Sequence, residues 1–487
     1  MNHIRQLAGQ TLIYGLGIIL PRFLNFLLLT PFYTRIFNKL EYGVITELYA
    51  YVVFLMVILT YGMETGYFRY ADKEHNKDNI YRSALLTLSF SSILFMVFTT
   101  VFSSKIAIAL DYPSHQDFII YLGLIVGMDA LTAIPFARLR LENKALKYAI
   151  IRIAEIIINI LANWFFLYYS PRHLDDNLVK ILYNPEIGIG YVFISNLLSS
   201  IFKVLALSKE ILLINGKFEF PLLRKMLVYS FPLLIAGLAG TINEALDRVL
   251  LKHLIPAADK PLEQLGIYGA NFKLAVLMTL FIQMFRYAAE PFFFSKKDEK
   301  NARSIFAVVM KYFVFSGMAI FLFVMLFMDL FKLFIGVNFR EGIAIVPIVL
   351  MANLFMGIFY NLSIWYKLTN KTKYGAYLVI IGALITILIN LLFVPEYGFY
   401  ASAWGHFISY LVMIIISFIY GQKYYSIPYD VKRILIYVVI AFCIYAISLL
   451  LNFDSNNLKY FVNASLILIY FGIFYLIEKN ILIIKRS

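Results

Sequence analysis

The sequence predicts an all-α polytopic membrane protein with about 14 transmembrane helices. Three observations carry that prediction. Hydrophobic residues make up 61% of the 487 positions and charged residues 15%, and the mean hydropathy is +0.78; a soluble chain of this length carries far more charge. Apolar runs of about 20 residues, enough to cross a bilayer core, follow one another from end to end. The connections between them are too short to hold a soluble domain.

The spans are read at 11–31, 43–66, 83–106, 117–137, 146–169, 188–208, 227–252, 266–290, 304–327, 343–366, 374–394, 399–420, 432–451 and 458–478. The first has the basic flank of a signal peptide. It is too long for one, lacks a small-x-small cleavage site and carries Arg22 near mid-membrane. A guanidinium at that depth costs about 2.5–3.5 kcal/mol on insertion scales, so it should face protein, water or a ligand. Gly15, Gly17 and Pro21 precede it, and proline removes a backbone hydrogen bond and favours a kink. These three are the gating candidates.

Charge recurs in later spans. The second ends on Glu64, and the fourth carries Asp129 with no charged residue within a turn. A lone buried acid has a raised pKa. That makes Asp129 either a proton carrier or a neutral acid hydrogen-bonded between helices, with Glu64, Glu155 and Glu290 as further coupling candidates. In the fifth span Arg152, Glu155, Asn159 and Asn163 share one helix face, where Arg152 and Glu155 can pair. The seventh carries Asn243, Glu244, Asp247 and Arg248 in i,i+4 pairs. The eighth carries Lys273, Gln283, Arg286 and Glu290. On a straight helix Lys273 and Arg286 point about 140° apart, so only one of them faces a given point. Lys203 and Lys311, in the sixth and ninth spans, are expected to snorkel to headgroups as readily as to serve function. Cys443, the single cysteine, lies in the thirteenth and excludes an intramolecular disulfide.

An even number of spans returns the C-terminus to the N-terminal side. The 43 Lys and Arg residues concentrate on that side, which the positive-inside rule assigns to the cytoplasm. The net charge of +14 is therefore topological and does not point to nucleic acid. Enzyme signatures are absent: there is no Walker loop and no zinc-spaced His/Cys cluster, and the acidic pair Asp175-Asp176 sits in a short outer loop. No catalytic residue, metal or cofactor is expected, apart from coupling to protons or sodium.

The chain is divided into a six-helix bundle at 1–208, a cytoplasmic linker at 209–226, a second six-helix bundle at 227–420 and two further helices at 421–487. An internal echo supports the division: Leu40-Glu41-Tyr42-Gly43-Val44 opens the second span, and Gln264-Leu265-Gly266-Ile267-Tyr268 opens the eighth. Repeats of this kind are common in transporters.

Several motifs carry a family resemblance. They are Leu7-Ala8-Gly9-Gln10-Thr11, Tyr33-Thr34-Arg35 with Glu41-Tyr42-Gly43, Ile134-Pro135-Phe136-Ala137-Arg138-Leu139-Arg140, and Pro395-Glu396-Tyr397-Gly398 leading to Ala401 and Ala403. In that order, the chain resembles the polysaccharide and O-antigen flippases of the multidrug/oligosaccharidyl-lipid/polysaccharide exporter superfamily. The resemblance implies two bundles in a V around a central cavity, working by alternating access in the bacterial inner membrane. It also implies an undecaprenyl-pyrophosphate-linked oligosaccharide as substrate, with membrane lipids and other polysaccharide-assembly proteins as partners. Basic cavity residues would hold the pyrophosphate; Arg22, Lys273 and Arg286 are the first candidates and Arg248 the next. A lipid II flippase and a cation-coupled multidrug exporter of the same superfamily are the alternatives.

Overall fold

The computed structural model describes residues 15, 17, 19–71, 76–212, 215–453 and 455–484, with side chains of the last helix up to Lys479. The Leu7–Thr11 motif and the basic C-terminal residues lie outside the described residues. Every regular element among the described residues is helical. Among the described residues, eleven helices are long and apolar enough to cross a membrane, or twelve if a bent pair counts as one span. The expected count of 14 is not confirmed. The sixth expected span is a shorter apolar helix, and the first falls partly outside the described residues.

The longer helices are α1 (Lys39–Thr60), α2 (Met63–Ala71), α3 (Lys77–Val101), α4 (Gln116–Leu141), α5 (Ala145–Trp164), α6 (Gly190–Ala206) and α7 (Phe220–Leu254). They continue as α8 (Pro261–Leu274), α9 (Val276–Lys296), α10 (Ala302–Leu326), α11 (Val346–Leu362), α12 (Lys373–Tyr397), α13 (Phe399–Tyr424), α14 (Val431–Leu450) and α15 (Asn456–Ile484). The chain folds as two compact units, residues 1–266 and 267–487.

In the first unit, α1 starts on a capping box in which Asn38 and Glu41 satisfy each other's backbone N–H groups. It ends where Tyr61 and Gly62 turn to positive φ. The α7 helix is 35 residues long, about 52 Å at 1.5 Å per residue, well beyond a bilayer core. It begins at Phe220, inside the stretch read as linker. What remains of that stretch is tied to the start of α3: Asn79 accepts from the Lys217 N–H at 2.7 Å and Ser83 accepts from the Glu219 N–H at 3.1 Å. Arg82 donates to the Gly216 carbonyl at 3.0 Å.

In the second unit, the C-terminal pair is fixed against the buried helix α10 at three levels. Lys311 pairs with Glu478 at 2.5 Å, and Tyr437 donates to the same carboxylate at 2.6 Å. The buried Asn463 donates to the Leu326 carbonyl at 2.6 Å. Asp329, just beyond α10, accepts from Lys332 at 2.5 Å and from Lys459. Lys311 is thus a buried ion-pair partner and does not snorkel.

Candidate functional site

Helices α4, α5 and α6 bring a charge network into the first unit. The Lys203 ammonium, its side chain 1% exposed, lies 2.6 Å from Asp129 Oδ1 and 2.6 Å from Glu155 Oε1. Arg152 pairs with the other oxygen of Glu155 at 3.1 Å, and its guanidinium stacks 4.1 Å from the centroid of Phe136. Ser200 donates to Asp129 at 2.7 Å. Two acids and two bases balance, which makes their burial tolerable. This corrects two expectations. Asp129 is alone only along its own helix, because its partner arrives from α6; and Lys203 is buried, so it does not reach headgroups. The Arg152–Glu155 pair is present as expected.

Polar contacts continue outward from this network. Tyr49 accepts from Asn196 at 2.9 Å, and Tyr33 donates to Asn163, which in turn donates to Asn159 at 2.7 Å. The face read on the fifth span therefore carries two bonded pairs, Arg152–Glu155 and Asn163–Asn159.

The other coupling candidates are also paired. Glu64 meets Arg140 at 2.5 Å, and Glu290 in the second unit meets Lys367 at 2.7 Å. Each of the four candidate acids has a basic partner, so a coupling ion would have to compete with a fixed cation at any of them.

Two of the four candidate cations stand differently. Arg22 is exposed, and among the described residues no carboxylate lies within ion-pair distance of it. Arg286 is exposed too, with its guanidinium 4.7 Å over the Tyr360 ring and no carboxylate partner among the described residues. Arg248 is half-buried on α7 beside the buried Asn243 and Asp247, and Lys273 is exposed at the end of α8. The straight-helix geometry expected for Lys273 and Arg286 does not hold, because the chain bends by 51° between α8 and α9. Each cation lies on its own helix, and the 140° separation no longer applies.

The gating candidates precede a local irregularity. Gly17 lies against α5, where a Cβ would approach Ala149 Cα at 3.0 Å, whereas Gly15 faces open space. Pro21 and Arg22 are followed by a π-helical turn, Asn25–Leu29. Such turns concentrate at functional sites in helices. The sequence predicts a kink at Pro21 but carries no signal for the wider turn.

Sequence reasoning missed several further groups. Glu47 is fully buried and paired with Lys252 at 3.1 Å. On α11, Asn353 and Asn361 are buried one turn to either side of Gly357, and a Cβ on Gly357 would collide with Phe313 of α10 and Ile282 of α9. The Asn353 amide nitrogen and both amide atoms of Asn361 find no hydrogen-bond partner among the described residues. Helical spacing through Gly357 was the available signal. Asp176 of the acidic pair, in contrast, is structural: it accepts from the Leu178 N–H at 2.9 Å and from Tyr169 at 3.0 Å, capping the helix Asn177–Leu182. The described residues contain no cluster of His, Cys, Asp and Glu able to hold a metal ion.

Comparison with known proteins adds three findings. Residues 7–297 match the family model described as polysaccharide biosynthesis protein. A lipid II flippase MurJ structure, in an inward closed conformation, matches with a TM-score of 0.73 at 16% identity, covering 95% of this chain and 99% of that one. An inward-facing multidrug resistance MATE family transporter of the MOP superfamily matches with a TM-score of 0.64 at 13% identity, covering 82% and 94%. No curated protein sequence matches. At these identities the structural likenesses show a shared fold.

Proposed function

The chain belongs to the polysaccharide biosynthesis protein family, and from that membership we propose that it flips an undecaprenyl-pyrophosphate-linked oligosaccharide from the cytoplasmic to the periplasmic leaflet by alternating access. The observation that carries the reading is the division among its membrane charges. The four candidate acids are neutralised by fixed partners, while Arg22 and Arg286 keep guanidinium groups without a carboxylate among the described residues. Guanidinium groups of this kind suit a pyrophosphate, which accepts parallel N–H donors and carries the charge that they lack. Asn353 and Asn361 supply amides for sugar hydroxyls in a state where α9 and α11 part. The protein works in the bacterial inner membrane with both termini cytoplasmic, performs no covalent chemistry and cooperates with polysaccharide-assembly proteins. Protons or sodium drive it through Asp129 and Glu155, displacing Lys203, with Glu64 and Glu290 as secondary sites.

Arg22→Ala tests the reading in a strain that depends on this chain for surface polysaccharide. The expected result is loss of surface glycan with normal membrane insertion and a normal melting profile. Normal surface glycan in a strain expressing only Arg22→Ala would overturn it. A lipid II flippase is the second reading, favoured by the near-complete coverage of both chains in that comparison.

A further inference from the structure

The two segments that echo each other in sequence pack against each other. A Cβ on Gly43 would lie 1.9 Å from the Leu262 carbonyl oxygen, and one on Gly266 would lie 2.0 Å from the Lys39 carbonyl oxygen. The arrangement is reciprocal, since each glycine faces the backbone one turn before its counterpart. Only glycine at both positions lets α1 and the start of α8 approach so closely.

One turn along α1 from this seam lies Glu47, fully buried. Its carboxylate accepts from Tyr112 and from Tyr51 at 3.3 Å, and pairs with Lys252 of α7 at 3.1 Å. Lys252 is held in turn by the Leu110 carbonyl at 2.5 Å, by Asp111 at 3.6 Å and by the face of the Tyr112 ring at 4.3 Å. His253 completes the set, 3.5 Å from Tyr51. By the positive-inside orientation, all of these groups lie at the outer end of the protein. A buried ion pair whose remaining hydrogen-bonding capacity is filled holds its helices in one arrangement, and removing either partner leaves an uncompensated charge.

We propose that Glu47 and Lys252, with Tyr112 and the Gly43–Gly266 seam, form a latch that closes the outer end of the protein and must release once per transport cycle. The proposal rests on the alternating-access reading above: if α7 and α8 open the second repeat, they must separate from α1 for the substrate to leave outward. The ion pair makes the latch strong when dry and weak once water reaches it, because the Lys252–Glu47 attraction falls steeply with rising dielectric. Partial opening therefore favours full opening.

The test places a reporter cysteine at Ala50, buried on α1 one turn inward of Glu47, in a Cys443→Ser background. Intact cells are treated with a membrane-impermeant maleimide, and labelling after denaturation gives the total. The reporter is expected to label slowly in the parent. Glu47→Gln and Lys252→Met should each raise the rate at least about ten-fold, and the milder Tyr112→Phe about two- to five-fold. Equal labelling in the parent and all three folded variants overturns the latch. No substrate is needed, so the two readings separate. Labelling that responds as expected in a protein that exports no glycan supports the latch and removes the glycan assignment. Glycan export that depends on Arg22 while labelling stays unchanged removes the latch alone.

Discussion

Replacing Lys203 with methionine would leave the carboxylates of Asp129 and Glu155 sharing the space of one lost ammonium, since both now contact the same Nζ at 2.6 Å. Breaking a buried pair from one side typically costs about 3–5 kcal/mol. Lys203→Met should therefore lower the unfolding temperature in detergent substantially, and adding Asp129→Asn should recover part of the loss. An unchanged melting temperature in Lys203→Met would show that the network does not hold the three helices. Asp329 gives a pH-dependent counterpart outside the membrane spans. Hydrogen bonds from Lys332 and then Lys459 hold its carboxyl below the ordinary value, against the opposing effect of burial. A carboxyl depressed in the folded state contributes stability that is complete above its unfolded pKa of about 3.9 and is lost as pH falls through the folded value. Thermal melts should weaken on acidification below about pH 4, and Asp329→Asn should flatten that acid limb while lowering stability near neutrality. At this scale the sequence named the charged residues and the Arg152–Glu155 pair within one helix, but not the partners that arrive from other helices. Asp129 is isolated along its own helix and Lys203 reads as free to snorkel, because the contacts that decide both run between helices and join residues 48 to 74 apart along the chain.

The helices themselves were far more legible, because hydrophobic length and proline placement are local properties. Positions 83–106, 117–137 and 399–420 all fall on observed helices with ends shifted by a few residues. The irregularities were not legible. The π-helical turn after Arg22, the 51° bend beside Ala275 and the extra turns that start α7 at Phe220 all arise where tertiary packing overrides a smooth apolar pattern. The same holds for the linker, which composition marks only as a basic stretch. Gly216 adopts φ +91°, and a Cβ there would meet Asn79 Oδ1 at 2.7 Å and the Asp78 carbonyl carbon at 2.7 Å. Gly216→Ala combines a left-handed backbone penalty of about 1–2 kcal/mol with that collision. It should detach residues 215–219 from α3, seen as faster proteolytic cleavage in the linker of the purified protein. Cleavage at the parent rate would mean that the Asn79, Arg82 and Ser83 contacts suffice without the turn.

At the scale of the whole molecule, three transport readings share one fold, and the sign of charge that each needs at its substrate separates the drug exporter from the two lipid-pyrophosphate readings. A cation-coupled drug exporter needs to attract a positive ligand. Here the first helix carries Arg22 with no carboxylate near it among the described residues, and Arg286 stands likewise in the second unit. At an effective dielectric constant of about 20, a unit cation about 4 Å from a guanidinium is repelled by about 4 kcal/mol, near three orders of magnitude in affinity. Overexpression should therefore leave efflux of a cationic dye at the level of the empty vector, and Arg22→Ala should not create efflux. The two lipid-pyrophosphate readings share their charge and differ only in the glycan. Expression in cells depleted of their own lipid II flippase separates them: the polysaccharide reading expects no rescue of growth, together with restored surface glycan in a strain lacking the cognate polysaccharide flippase. Rescue of peptidoglycan synthesis would transfer the assignment to lipid II and leave the proposed role of Arg22 unchanged, since both substrates carry the same pyrophosphate.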